Sequence, residues 1–220
     1  ALEGLVSGGR LRALALFDKP DPLEGPFFEE TIYVMPSRIP APVQAEIVAT
    51  AALATAALGL AEGPVHAELR WNERGAWPLE IAPRSIGGLC SRALRFGEGV
   101  SLEALILRHA LGMETGSLER ESCASGVMMI PIPRAGVLRA VHGVEAARKV
   151  TLVDDVRVTV PPGQELAPPP GGDRYLGFIF ARGPEPAQVE AALRAAHARL
   201  AFDIAPRDAE AAAIADAPQQ

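Results

Sequence analysis

Two alternating runs on either side of a short polar loop constrain this chain more than any other feature. Val65 to Trp71 and Trp77 to Ile81 flank Asn72-Glu73-Arg74-Gly75, the pattern of a β-hairpin. With Asn72 to Ala76 as the connecting loop, Trp71 faces Trp77, Leu69 faces Leu79 and Glu68 faces Glu80. Alternation then gathers Val65, Ala67, Leu69, Trp71, Trp77, Leu79 and Ile81 on one face, expected to be the buried one. His66, Glu68, Arg70, Pro78 and Glu80 share the other.

Directly opposed residues have Cβ atoms about 4.5–5.5 Å apart, and like charges placed so repel. A hard divalent cation relieves that repulsion, and Mg²⁺ is commonly held by one or two carboxylates together with phosphate oxygens. Arg84, just past the second strand, adds a planar fork suited to phosphate or carboxylate. Ser85-Ile86-Gly87-Gly88 then predicts a glycine turn leading into a helix N-terminus, which favours an anion. The plainer alternative is two solvated glutamates, with Arg70 neutralising one of them.

The elements around the hairpin predict an α+β chain. Leu5-Val6 and Leu11 to Phe17 form strands about Gly8-Gly9, and Phe27 to Met35 is a third strand. A helix is expected from Val43 to Leu58, with Pro42 near its first turn and Gly59 as its stop. Further helices are expected over 88–96 and 102–111, the second capped by Ser101. Past residue 120 come short strands at 127–132, 137–142, 150–153, 156–160 and 175–181, then a helix over 186–200. These divide the chain into 1–120, 121–204 and a disordered tail, 205–220, with the boundary near 117–123.

A net charge of −6 disfavours a nucleic-acid or anionic-membrane partner, both of which call for a basic surface. Lys19 and Lys149 are the only lysines, and neither stands in a G-x-x-x-x-G-K-[ST] loop, so a Walker-type nucleotide site is excluded. Cys90 and Cys123 suit a reducing, cytoplasmic setting and are expected as small core residues. Trp71 and Trp77 are expected as core plugs. The apolar run Ile47 to Leu60 is too short to span a bilayer. The chain opens at Ala1 almost directly on a strand, which suggests a piece whose upstream part is missing.

The run Gly63-Pro64-Val65-His66-Ala67-Glu68-Leu69-Arg70, followed by Pro78-Leu79-Glu80-Ile81-Ala82-Pro83-Arg84 and Gly87-Gly88, resembles the ATP-grasp superfamily. That family carries a Glu on one strand and Glu-x-Asn-x-Arg on the next, before glycines. Glu3-Gly4, Asp18-Lys19-Pro20 and Phe27-Phe28-Glu29-Glu30 are similar to it in order and distance. The nearest flavour is the carboxylate–amine ligases that include L-amino-acid ligases. Residues 124–202 resemble their small β-rich C-terminal domain.

The resemblance implies an ATP-grasp C-terminal subdomain, an antiparallel sheet with helices on it, followed by that small domain. It implies ATP and Mg²⁺ as cofactors, small carboxylate and amine substrates, and a partner lobe upstream, and it allows a homodimer. Glu68 and Glu80 would hold Mg²⁺ across the ATP phosphates, with Lys19 near the triphosphate. Arg84 would stabilise the transferred phosphoryl and an acyl-phosphate intermediate. Glu30 would hold a substrate amino group, with Tyr33, His66, Gly87 and Gly88 lining the same site. Ala82 stands where the family has Asn, which removes an oxygen ligand for a second metal. A non-catalytic module of the same fold, or a carboxylase resembling biotin carboxylase, are the alternatives.

Overall fold

The computed structural model describes residues 1–21, 31–169, 171–172 and 174–206. Strands β1 (Leu2–Ser7) and β2 (Arg10–Leu16) form the first hairpin, turning through Gly8 and Gly9, both at positive φ. Strand β3 (Ile32–Met35) leaves this layer, and helix α1 (Ala41–Ala57) follows with Pro42 in its first turn. A proline there forfeits no helical hydrogen bond. Strands β4 (Gly63–Asn72) and β5 (Gly75–Ala82) complete an antiparallel sheet in the order β2-β1-β4-β5. Helix α1 lies across it, and Ala51 packs on Leu2, Val6, Val65 and Ala67.

A single 3₁₀ turn over Cys90–Ala93 leads to the small hairpin of β6 (Arg95–Phe96) and β7 (Val100–Ser101), then helix α2 (Leu102–Ala110). The Ser101 hydroxyl accepts from the Ala104 amide, so the expected cap forms. Beyond it come β8 (Ala124–Ile130), β9 (Gly136–His142), α3 (Val144–Arg148), β10 (Val153–Val158), β11 (Glu165–Leu166), β12 (Gly177–Gly183), α4 (Pro186–His197) and β13 (Ala201–Ala205). The second large sheet runs β10-β12-β8-β3, and a smaller one runs β11-β9-β13.

Strand β3 therefore crosses the expected boundary near 117–123: it pairs with β8, so residues before 120 finish the sheet of the residues after it. The seam between the two sheets is a continuous core of Phe17, Tyr33, Met35, Leu94 and Phe96 with Val127, Met129, Phe178 and Phe180. Arg38 bridges Asp18 and Glu190, and Arg194 pairs with Asp21, bracing α4 against the first layer.

Three expectations about local structure fail. The helix over 88–96 is only the 3₁₀ turn, because Gly88 and Gly97 both hold positive φ and Arg95–Phe96 pairs as a strand instead. Residues 150–153 and 156–160 give one strand, β10, preceded by the unforeseen α3. The last helix stops at His197 rather than Leu200, and an unforeseen strand, Ala201–Ala205, pairs with β9 and takes in the first residue of the expected tail. The segment 207–220 and the upstream part of the third strand, including Glu29 and Glu30, lie outside the described residues.

Candidate functional site

The β4–β5 hairpin closes by a two-residue turn, Glu73-Arg74, with Gly75 at φ +117°. Asn72 pairs Gly75, Trp71 pairs Ala76, Arg70 pairs Trp77 and Leu69 pairs Pro78. The expected Trp71–Trp77 and Leu69–Leu79 pairings do not form. Leu79 is instead the extra residue of a β-bulge, which shifts register by one and restores Glu68 opposite Glu80. A longer loop without a bulge and a tight turn with one give the same glutamate pair.

The expected sorting of faces holds only at the inner end. Val65 and Ala67 are buried, but Trp71, Trp77 and Leu79 are about half exposed, at 48%, 45% and 60%. The tryptophans are therefore not core plugs. Their indole N–H groups donate to Glu46 and Asn72, and the Arg74 guanidinium lies over the Trp77 ring. The supposed solvent face is buried as well near the base: His66 and Glu68, with Glu3 of β1 beside them, are all under a tenth exposed.

These three form a chain of contacts. His66 Nδ1 meets Glu3 Oε1, and His66 Nε2 lies 2.8 Å from Glu68 Oε1. Both ring nitrogens face carboxylates, and with both acids ionised only the doubly protonated imidazolium satisfies them. Burial alone would lower the His66 pKa, but the hydrogen bonds to Glu3 and Glu68 outweigh it and raise it from 6.5 to about 9. Burial also pushes Glu68 up, yet the His66 bond and Lys19 help bring it from 4.5 to about 2. Glu3, the most enclosed, is raised by burial despite His66, the Ile86 amide and Arg84. His66 thus spends both nitrogens inside the protein, the structural role of a hydrogen-bonded histidine.

Glu68 is also met by the Lys19 ammonium at Oε2 and by the Tyr33 hydroxyl, which donates to Oε1 at 3.2 Å. Lys19, 15% exposed, is drawn onto this carboxylate rather than lying in a surface loop, and its ammonium sits 5.5 Å from the Tyr33 ring centroid. Across the hairpin, Glu80 accepts from Arg84 Nη2 at 3.0 Å, and Arg84 Nη1 reaches the Ser85 carbonyl at 3.1 Å.

A cavity of about 320 Å³ gathers these groups: Tyr33, His66, Glu68, Glu80, Arg84, Gly87 and Gly88 line it. Cys90, Met129, Tyr175 and Phe178 close its other wall, so the second sheet contributes to the site. Gly88 stands at φ +61°, and a Cβ there would come within 2.9 Å of the Phe178 ring. Met129 and Phe178 escaped the sequence reading, and Glu3 entered it only through the family resemblance, with no role at the site. The signal for Glu3 is an acid inside the otherwise apolar run Leu2-Glu3-Gly4-Leu5-Val6.

Among the described residues, no cluster of three or more His, Cys, Asp or Glu side chains could hold a metal alone. Two hard carboxylates opposed across one cavity do fit a single Mg²⁺ that completes its shell from a substrate. Lys19 already marks Glu68 as a place that draws a cation, and Ala82 offers no side-chain oxygen for a second.

Known proteins share segments of this chain and its fold. Residues 1–93 match the ATP-grasp domain family, and residues 128–205 match L-amino acid ligase C-terminal domain 2. Residues 1–93 belong to the ATP-grasp superfamily. Among solved structures, the L-amino acid ligase of Bacillus licheniformis superposes with a TM-score of 0.77 at 26% identity, covering 92% of this chain. The biotin carboxylase domain of the Hydrogenobacter thermophilus 2-oxoglutarate carboxylase, solved with MgADP and bicarbonate, gives 0.66 over 92% of the chain. Its 16% identity speaks for the fold alone. An uncharacterized protein of Sinorhizobium fredii is 25% identical over 150 residues, 68% of this chain. The chain spans 51% of the B. licheniformis ligase, 45% of the carboxylase and 31% of the S. fredii protein.

Proposed function

We propose that this chain is the C-terminal part of an ATP- and Mg²⁺-dependent carboxylate–amine ligase that joins amino acids. The observation that carries the reading is Glu68 in register with Glu80, on one cavity with Arg84 four residues further along. The match of residues 128–205 to the L-amino acid ligase domain supports amino acids as the substrate class.

Glu68 and Glu80 would hold the cation, which when bound supplies positive charge to the ATP phosphates. The chain's own groups account for the rest. Arg84 is aimed by its bond to Glu80 and by the Ser85 carbonyl, so its guanidinium is set to neutralise charge on the transferred phosphoryl oxygens. Phosphoryl transfer depends mainly on such positioning and electrostatic stabilisation. A substrate carboxylate oxygen attacks the γ-phosphorus, the bond to ADP breaks, and an acyl phosphate forms. A neutral amine then attacks the acyl carbon, phosphate leaves, and the amine loses its proton. Gly87 and Gly88, with no side chains, leave the cavity wall open to a ligand. Tyr33 and His66 act through Glu68, which they hold ionised and fixed. Glu30, outside the described residues, keeps the proposed role of receiving the amino group. The upstream nucleotide lobe completes the site in this reading.

The test is ADP release by the full-length protein with ATP, Mg²⁺ and pairs of amino acids, with dipeptides read by mass spectrometry. Release that requires both acid and amine and yields the dipeptide is the expected result. Release driven by bicarbonate would assign a carboxylase, and none under any condition, from folded protein, would leave a non-catalytic module.

A further inference from the structure

Glu3 is a carboxylate 1% exposed, on the strand next to β4, and it stands behind the cavity described above rather than lining it. Both its oxygens are nonetheless used. Oε1 takes the His66 Nδ1–H, and Oε2 accepts the Ile86 backbone N–H at 3.2 Å. His66 belongs to β4, beside Glu68, whereas Ile86 belongs to the turn after β5 that holds Arg84, Gly87 and Gly88.

We propose that Glu3 is a positioning residue: its carboxylate ties the His66 ring to the Ile86 amide and so sets Glu68 and the Arg84 turn in fixed relation. The geometry excludes a plain filling role. An apolar side chain of equal size would leave His66 Nδ1 and the Ile86 N–H without acceptors in a buried setting, which structures rarely tolerate. The His66 ring is also steered, because occupation of Nδ1 by Glu3 is what turns Nε2 toward Glu68. Partners one shell removed from a ligand typically change metal affinity or activity by about 10–100-fold when altered. A carboxylate, with two acceptor atoms at a fixed spread, can serve the ring and the amide at once; a glutamine offers one acceptor atom.

The inference rests on the ligase reading for its kinetic consequence but not for its geometry, and two experiments separate them. In the full-length protein, Glu3→Gln is expected to raise the Mg²⁺ concentration for half-maximal ADP release, or to lower kcat, by about 10–100-fold. KM for ATP is expected to stay within about threefold, and Glu3→Asp is expected to recover part of the loss. Wild-type values of all three parameters in Glu3→Gln would overturn the proposal. If the wild-type protein releases no ADP, the ligase reading fails, and the geometry is decided by nuclear magnetic resonance on the 220-residue chain. There Glu3→Gln is expected to shift the His66 ring nitrogens and the Ile86, Gly87 and Gly88 amides together. Shifts confined to β1, with the turn unmoved, would overturn it independently of activity. Should Glu3→Gln prevent folding, the same two readouts are taken on Glu3→Asp, where a full wild-type result again overturns it.

Discussion

The inner and outer carboxylates of the β4–β5 hairpin stand opposite each other in register, yet the fold treats them differently. Glu68 is enclosed and contacted by Lys19, His66 and Tyr33. Glu80 is 54% exposed in its side chain and bonded to Arg84, itself 51% exposed. Strand alternation makes the two equivalent, and the difference comes from what covers each strand. β4 lies inside the sheet between β1 and β5, under the seam core, while β5 is the sheet edge. One glutamate is therefore a built-in part of the structure, and the other is an exposed acceptor held by the Arg84 guanidinium.

The largest effect that would break this contrast is on stability. Glu68→Ala strips a carboxylate from a histidine, a lysine and a tyrosine, and breaking a buried charge pair from one side costs about 3–5 kcal/mol. Urea unfolding of the chain should show that loss for Glu68→Ala. A cost under about 1 kcal/mol would mean that Glu68 is as loosely held as Glu80.

The pH dependence comes next. The His66 pKa is raised from 6.5 to about 9, so its stabilising contribution is complete below 6.5 and lost as pH rises through about 9. At 1.36 kcal/mol per pKa unit, this is on the order of 3 kcal/mol. Glu68 works in the opposite sense: lowered from 4.5 to about 2, its contribution is present above 4.5 and lost as pH falls toward 2. The two shifts describe one shared interaction and do not add. Stability measured from pH 6 to 10 should fall through the upper window in the wild type and stay flatter in His66→Gln. Parallel profiles would contradict the assigned imidazolium.

A smaller effect belongs to the hairpin tip. Glu46 of α1 accepts the Ala76 amide at 2.9 Å and the Trp71 indole N–H at 3.1 Å. Glu46→Ala should cost about 1 kcal/mol, typical of lost hydrogen bonds, and speed hydrogen exchange at the Ala76 amide. Unchanged exchange would show that the tip is held by the strands alone. Smallest of all, Glu80→Ala should change stability by less than about 0.5 kcal/mol, as expected for an exposed ion pair.

The same contrast explains what the sequence disclosed. The glutamate pair was legible because alternation and a turn signal fix it locally, and because the bulge at Leu79 cancels the error in the assumed loop. The exposure of Trp71 and Trp77 was not, since an apolar face is buried only where another layer reaches it, and the tip extends past that layer. The role of Glu3 stayed hidden because its two partners lie 63 and 83 residues away, and nothing near position 3 announces them. The lost helix over 88–96 shows glycines at both ends outweighing a helix-compatible middle. The Lys19 contact likewise needed the fold, because a lysine between Asp18 and Pro20 has the composition of a surface loop.

ADP release by the full-length protein carrying Glu80→Ala, set beside its unfolding curve, tests the pairing of the two acids most directly. If both glutamates serve one cation and Glu80 also aims Arg84, Mg²⁺-dependent release falls at least about 100-fold, a few kcal/mol of transition-state stabilisation, while the unfolding midpoint stays in place. Release at the wild-type rate from the folded variant would contradict the shared site.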